Sequence, residues 1–130
     1  MSEQKLHQPE QFPDTATEFT LEGPAGLLEC ISDVPEPEHR QPGYAIICHP
    51  HPQHAGTMRN KVVTILERSL RELGLATVRF NFRGVGESEG EYDEGDGELQ
   101  DLLAVNAWAR KRLPGDELWL AGFSLSLIHI

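Results

Sequence analysis

Apolar and polar residues follow different spacings along the chain, and each spacing predicts a type of element. Residues 18–22 and 27–31 are two short candidate strands joined by a turn over 23–26, which predicts an antiparallel hairpin. Residues 44–48 are apolar throughout, as expected of a strand buried on both faces of a sheet. Similar runs at 76–82 and 118–121 predict two further strands.

Two segments between these runs have helical spacing. The first helix is predicted over about 58–73, with Thr57 as its cap and Gly74 as its end. Its apolar residues are Met58, Val62, Ile65, Leu66 and Leu73.

The second helix is predicted over about 98–113, beginning at Asp96 or Gly97, with acids in its first turn and basic residues in its last. Strand, helix and strand joined by short connections predict the βαβ crossovers of a parallel sheet. The fold class is therefore α/β, with a mostly parallel sheet and an N-terminal antiparallel hairpin.

Composition limits the possible functions. The 130 residues suffice for one domain, and 38% hydrophobic and 25% charged residues are ordinary values for a folded soluble protein. A net charge of -10 argues against nucleic acid or an anionic membrane as a partner, because either needs a basic surface. The apolar runs are too short to span a bilayer. Two distant cysteines, Cys30 and Cys48, fit a reduced, cytoplasmic protein.

The candidate chemistry lies after the last strand. Gly122-Phe123-Ser124-Leu125-Ser126 partly matches the Gly-x-Ser-x-Gly nucleophile elbow, in which a strained turn exposes a serine between a strand and a helix. Ser124 is the predicted nucleophile. The last position of the motif is Ser126, which is small but is not glycine.

A serine hydrolase also needs backbone N–H groups that stabilise the oxyanion of the tetrahedral intermediate. The N–H of Leu125, directly after the nucleophile, is one predicted donor. The second is predicted in the loop after the strand at 44–48, where prolines flank His51 and provide no N–H themselves. His51 is therefore the predicted second donor, with Gln53 as the alternative.

Other readings of the polar segments are weaker. The glycine-spaced loop at 83–90 leads into a run of acids that would repel a pyrophosphate, so a dinucleotide site is disfavoured. Its glycines occupy positions where a calcium loop needs ligands. His49, His51 and His54 could bind a metal, but a rigid turn shaped by prolines is the better interpretation. No cofactor and no metal are predicted.

Several motifs occur together in one order. They are His-Pro-His-Pro at 49–52, Gly-Thr-Met at 56–58, Asn-Lys-Val-Val at 60–63, Arg-Phe-Asn-Phe-Arg-Gly-Val-Gly-x-Ser-x-Gly at 79–90, Gly-Glu-x-x-Asp at 97–101, Trp108, and Leu-Ala-Gly-Phe-Ser at 120–124. This set resembles a bacterial family of predicted α/β-superfamily hydrolases related to dienelactone hydrolases and serine esterases. The resemblance implies an α/β-hydrolase fold, Ser124 as nucleophile, and a strand at 44–48 between those at 76–82 and 118–121.

The chain departs from that family at its end. The family has its catalytic acid and histidine downstream of the serine, and neither is found here. The last residues resemble translated adapter sequence or frame-shifted read-through. The expected organisation is a disordered arm at 1–15, the N-terminal part of a hydrolase domain at 16–126, and a tail of non-native appearance at 127–130. His129 is too near Ser124 in sequence to act as its base.

Two classes of function follow. The first is part of a serine hydrolase that acts on an ester, thioester or amide of a small acyl substrate and is inactive at this length. The second is a non-catalytic α/β module that binds a small molecule or a partner at the same crevice. At this length the last strand is also expected to be an exposed apolar edge that favours aggregation. The sequence does not predict the substrate or the oligomeric state.

Overall fold

A computed structural model of the chain describes residues 6–50 and 56–122. The elements in that part are a six-stranded sheet, two α-helices and one short 3₁₀ helix at Pro37–His39. The strands are β1 (Leu6–His7), β2 (Thr17–Gly23), β3 (Gly26–Asp33), β4 (Gly43–Cys48), β5 (Ala76–Phe80) and β6 (Glu117–Gly122). The helices are α1 (Lys61–Glu72) and α2 (Asp96–Arg112). The α/β class is confirmed.

The sheet is mixed, with the order β1-β2-β3-β5-β4-β6. β2 and β3 form the predicted antiparallel hairpin, and β3 also pairs antiparallel with β5. β4 is parallel to β5 on one side and to β6 on the other. The position of β4 between those two strands is the one that the family resemblance implies. α1 and α2 supply the two crossover connections.

The part of the N-terminal arm that the structure describes, from residue 6 onward, contacts distant residues of the chain. Leu6 and His7 pair in parallel with Phe19 and Thr20 of β2. Farther along, the carbonyl oxygen of Pro9 accepts hydrogen bonds from Trp108 Nε1 at 3.0 Å and from Arg112 Nε at 2.7 Å. These contacts with distant residues hold the segment against the sheet and α2, and sequence spacing gives no sign of them.

The alternation of side chains along β4 explains why this strand is apolar throughout. Tyr44, Ile46 and Cys48 belong to the larger core cluster, which includes Trp108 of α2. Ala45 and Ile47 point to the other face, where they pack with Val63 of α1 and with Leu75. Each face of the strand is thus covered by a helix, as in parallel sheets generally.

Trp108 of α2 packs against the sheet. Its ring lies 4.7 Å from that of Phe19 and 5.4 Å from that of Phe12. The ring is almost fully buried, and the Arg112 guanidinium carbon lies 5.0 Å from its centroid. The contact fixes α2 against β2.

The prediction for α1 was wrong at its start. The helix begins at Lys61, and Asn60 is its cap, with its side chain accepting a hydrogen bond from the Val62 N–H at 2.8 Å. Thr57 accepts instead from the Arg59 N–H, in the turn before the helix. Met58 is buried in that turn, and its N–H donates to the side chain of Asn81, just beyond β5.

The buried face of α1 also differs from the predicted one. Val63 and Glu67 are its buried residues, whereas Val62 and Ile65 are exposed. Glu67 is accommodated because Thr77 Oγ1 donates to its carboxylate at 2.6 Å and Arg71 Nε does so at 2.8 Å. Within the described chain, neither helix combines the length and the apolar character needed to cross a bilayer.

β6 forms one edge of the described sheet. Its first four residues are exposed, and the exposed fractions of Leu118, Trp119 and Leu120 are 42%, 53% and 38%. Since a strand edge with apolar side chains readily pairs with another chain, the geometry agrees with the predicted apolar edge.

Candidate active site

The residues predicted to perform the chemistry lie outside the described part of the chain. These are Ser124 and Leu125, which follow β6, and His51 with its alternative Gln53, which follow β4. The structure does describe the strands that lead to them and the residues that surround the starts of both segments. The ends of β4 and β6 therefore define the position of the candidate site.

The carboxyl ends of β4 and β6 lie side by side. The two strands are parallel, and their last residues, Cys48 and Gly122, are partners in the ladder. Adjacent strands are about 4.8 Å apart. The segments that carry His51 and Ser124 thus leave the sheet at the same level of the same edge, where α/β sheets commonly bind ligands.

His49 follows β4 and is buried. Its Nε2 accepts a hydrogen bond from the Phe82 N–H at 3.1 Å, and its Nδ1 lies 2.6 Å from the carbonyl oxygen of Pro50. Because Nε2 is an acceptor, the proton of the neutral ring must be on Nδ1, which donates to Pro50. Burial lowers the pKa of His49, and the Pro50 hydrogen bond opposes this shift in part. A neutral imidazole with its proton on Nδ1 fits both the hydrogen bonds and the lowered pKa.

Asn81 lies one residue before Phe82, just beyond β5, and is buried. Its Oδ1 accepts from the Met58 N–H at 2.7 Å, and its Nδ2 donates to Glu29 Oε1 at 2.7 Å. The Arg79 guanidinium donates a hydrogen bond to the Met58 carbonyl at 2.8 Å. Two residues of the β5 region therefore hold the turn that precedes α1.

The glycine-spaced loop after β5 is fastened to β3. Ser88 Oγ donates to the Asn81 carbonyl at 2.7 Å and accepts from the Glu29 N–H at 2.9 Å. Glu29 Oε1 also accepts from the Glu87 N–H at 3.0 Å. Gly86 has a φ of +55°, and a Cβ there would lie 2.6 Å from Asn81 Nδ2 and 2.8 Å from Glu29 Oε1. The loop is thus a structural part of the sheet edge, and its serine and glycines serve that role.

The motif Gly-Glu-x-x-Asp is explained by contacts with the same loop. Asp101 is fully buried, and its Oδ2 accepts from the Arg83 N–H at 2.9 Å. Its Oδ1 accepts from Arg83 Nη2 at 2.9 Å. The hydrogen bond to Asp101 raises the pKa of the Arg83 guanidinium. Gly97 has no side chain because a Cβ would collide with that guanidinium.

Glu98, the second residue of the motif, caps the start of α2. Its carboxylate accepts from the N–H groups of Gly95 at 2.8 Å and Asp93 at 2.9 Å. This is the glutamate half of a capping box, which pairs N–H groups that the first helical turn leaves free. The loop after β5 and the start of α2 are therefore joined through Arg83 and Asp101.

The described cysteine and histidine side chains have structural positions. Cys48 belongs to the core, and burial raises the pKa of its thiol to about 12. A thiol with such a pKa is a poor nucleophile or metal ligand at neutral pH. Both ring nitrogens of His49 are hydrogen-bonded. Among the described residues no group of three or more metal-ligating side chains occurs.

A groove of about 310 Å³ lies at the other end of the sheet. Its lining includes Pro42 and Gly43 before and at the start of β4, Glu117 and Trp119 of β6, and Leu73 beyond α1. These positions are at the amino ends of the parallel strands, far along them from Cys48 and Gly122. The groove is therefore separate from the candidate site.

Two solved structures are closely similar to this chain. An α/β serine hydrolase without a lid from Xanthomonas campestris is 52% identical, with a TM-score of 0.85 over 90% of this chain and 54% of its own. An α/β serine hydrolase homologue from Coxiella burnetii is 51% identical, with a TM-score of 0.84 over 89% of this chain and 55% of its own.

This chain is homologous to α/β serine hydrolases. A more distant likeness is to Est1E from Butyrivibrio proteoclasticus, a structure with bound ferulic acid, at 27% identity and a TM-score of 0.62 over 75% of this chain and 39% of that one. An uncharacterised protein of Rickettsia prowazekii is 42% identical over 81 residues, which are 62% of this chain and 34% of the relative. No family model matches the sequence.

The chain spans about half the length of the two similar structures and about a third of the curated relative. Sequence reasoning missed His49 and Asn81 as contacts at the candidate site. For His49, its position directly after the apolar run at 44–48 was a usable sequence signal. Nothing in the sequence indicated that Asn81 would bind the Met58 N–H.

Proposed function

We propose that this chain is part of a serine hydrolase in which Ser124 is the nucleophile. The backbone N–H groups of His51 and Leu125 bind the oxyanion, with Gln53 as the alternative to His51. The observation that carries the proposal is the pairing of Cys48 with Gly122 in a chain homologous to serine hydrolases.

Chain length supports the meeting of these groups. Ser124 is two residues beyond Gly122, and His51 is three beyond Cys48. Fully extended chain covers at most about 3.6 Å per residue, so the two positions are within about 7 Å and about 11 Å of adjacent strand ends. Both fit one active site.

In the proposed reaction, Ser124 Oγ attacks the carbonyl carbon of the substrate and its proton passes to a histidine base. The resulting oxyanion accepts hydrogen bonds from the two backbone N–H groups. The bond to the leaving group then breaks as that group takes the proton from the histidine, which leaves an acyl-enzyme. Water attacks this ester as its proton passes to the histidine, and the Ser124 oxygen takes that proton as the free acid is released.

The base comes from a part of the whole protein beyond this chain. The three described histidines have other positions: His7 is on β1 at the far edge of the sheet, His39 is in the 3₁₀ helix, and His49 uses both ring nitrogens. This chain covers 54% and 55% of the two similar hydrolase structures, which leaves room in the whole protein for a later histidine and acid.

The proposed substrates are esters, thioesters or amides of a small acyl group. One similar structure, that of Est1E, holds bound ferulic acid, a small carboxylic acid. We propose a small acyl substrate rather than a nucleic acid, because the chain has a net charge of -10.

A fluorophosphonate probe on the full-length natural protein tests the nucleophile. We expect covalent labelling of the wild type and none of Ser124→Ala, with labelled peptides mapped by mass spectrometry. Ser69→Ala, which changes an exposed serine of α1, is the matched control and should label as the wild type does. Labelling of Ser124→Ala at the wild-type rate, or an unlabelled wild type, would rule out the proposed nucleophile and favour a binding module.

A further inference from the structure

We propose that residues 6–12 form a removable strap, which keeps the outer edge of β2 from pairing with a second copy of the protein. The whole strap lies in the described part of the chain. It includes β1, and β1 and β2 are at the edge of the sheet opposite β6. The surface concerned is therefore distinct from the candidate active site and independent of the proposed catalytic residues.

The strap binds the middle of β2 through hydrogen bonds to its backbone. β1 lies in parallel beside residues 19–20, and the Gln8 N–H donates to the Thr20 carbonyl at 2.7 Å. The Glu22 N–H donates to Gln8 Oε1 at 3.3 Å, so a side chain there takes the place of a backbone acceptor. The other side of β2 is occupied by β3. The strap therefore covers backbone groups that a neighbouring strand could otherwise bind.

A turn at Gln8 carries the strap from β2 to α2. Gln8 has a φ of +38°, which residues with a side chain rarely adopt. Beyond the turn, the Pro9 carbonyl accepts from Trp108 Nε1 and Arg112 Nε. The Phe12 ring packs against the Trp108 ring. The strap thus joins the edge of the sheet to a helix on its face.

Few buried groups hold the strap in place. Pro9 is buried and Phe12 is partly buried, whereas the other residues of the strap are exposed. All seven residues of β2, by contrast, pair with β3. A segment with few buried contacts and exposed hydrogen bonds opens at a lower free energy than the core does. Release also lets Gln8 leave its uncommon backbone conformation.

The second copy follows from the pattern of β2. A bare strand edge pairs readily with another strand, and a two-fold axis places the same strand of a second copy antiparallel beside it. With Phe19 at the axis, Glu18 lies opposite Thr20 and no like charges are directly opposed. With Thr20 at the axis, Glu18 would lie opposite Glu22, which is unfavourable. We therefore expect the register centred on Phe19.

Gln8→Pro in the full-length natural protein should release the strap. Proline has no N–H, and its φ of about −65° does not fit the turn. The molar mass, measured by light scattering at increasing protein concentration, should rise from the wild-type value towards about twice that value. Gln8→Gly is the matched control, because glycine keeps the N–H and tolerates a positive φ. Its molar mass should equal that of the wild type.

Hydrogen exchange locates the contact. In Gln8→Pro, the outward-facing amides of residues 17–23 should lose protection at low protein concentration and regain it at high concentration, when a second copy covers them. In the wild type, the Gln8 N–H should exchange faster than the amides that join β2 to β3, because the strap opens without the core.

Three results would overturn the proposal. The first is a folded Gln8→Pro with the wild-type molar mass at every concentration. The second is a higher mass without renewed protection of residues 17–23, since the contact would then lie elsewhere. The third is an equal rise in Gln8→Gly, which would mean that the turn does not hold the strap. If Gln8→Pro does not fold, removal of residues 1–8 frees the same edge of β2, leaves Pro9 and Phe12 against α2, and has the same expected outcomes.

Discussion

β4 and β6 are paired along their whole length, yet their surroundings are opposite. All six residues of β4 are buried, whereas four of the six in β6 are exposed and two are partly buried. The backbone ladder is the same for both strands, so the difference comes from what covers them. β4 has a strand on each side and a helix on each face, while β6 has β4 as its one neighbour in the described sheet.

The comparison separates the part of the sheet that gives stability from the strand that leads to the proposed nucleophile. The centre of the sheet derives its rigidity from layered packing and from side chains such as Asn81 and Glu29 at its carboxyl edge. The edge strand that leads to Ser124 has little packing of its own. Three predictions test this contrast, in order of decreasing effect on stability.

The largest difference is expected within one cross-strand pair. Ile46 of β4 and Leu120 of β6 are partners in the ladder, but Ile46 is fully buried and Leu120 is 38% exposed. Ile46→Ala should reduce the free energy of unfolding by about 2–5 kcal/mol. Leu120→Ala should reduce it by about 1 kcal/mol or less.

Urea denaturation of the 130-residue chain, at two protein concentrations, measures both changes. Equal losses for the two variants would contradict the contrast between β4 and β6. A loss for Leu120→Ala that grows with concentration would mean that β6 is covered by a second copy.

A smaller effect is expected at the start of α2. Gly97→Ala places a methyl group against the Arg83 guanidinium, which the buried Asp101 holds in place. Displacing it should cost about 1–3 kcal/mol, as overpacking generally does. Gln100→Ala, an exposed change in the same helix, should change the unfolding free energy by less than about 0.5 kcal/mol. A tolerated Gly97→Ala would show that Arg83 moves freely.

The smallest effect is a dependence on pH. The pKa of His49 is lowered in the folded chain from an ordinary value of 6.5, so the unfolded chain binds more protons in the range just below that value. The contribution of His49 is therefore complete above about 6.5 and decreases as the pH falls towards the folded pKa.

The unfolding free energy should be measured between about pH 7.5 and about pH 5, a range that includes the ordinary histidine pKa. As the pH is lowered, it should fall less steeply for His49→Gln than for the wild type. Carboxylates contribute equally to both curves, so the difference isolates His49. Parallel curves would mean that the imidazole titrates normally and is not held as a neutral acceptor.

Much of the fold could be predicted because its signals are local. The run at 44–48 is apolar throughout, and the structure buries both faces of that strand. The hairpin follows from alternation and a glycine turn, and the start of α2 follows from its acids.

The errors arise where a distant residue decides. Thr57 and Asn60 are both good caps, and the structure uses Asn60, whose side chain accepts from the Val62 N–H, while Met58 lies before the helix and is bound by Asn81. The neutral ring of His49 likewise depends on a backbone N–H 33 positions away in sequence. The roles of Ser124, His51 and Leu125 remain predictions from the motif, the homology and the ends of β4 and β6.

The two tryptophans of the chain are optical reporters of the same contrast. Trp108 is 3% exposed and should emit at short wavelength, while Trp119 is 53% exposed and should emit nearer the wavelength of free indole in water. Acrylamide quenching of the long-wavelength component would then follow the covering of β6 directly. The short-wavelength component would report on the packing of α2 against the sheet. A single fluorescence spectrum therefore distinguishes solvent exposure of β6 from loss of packing in the core.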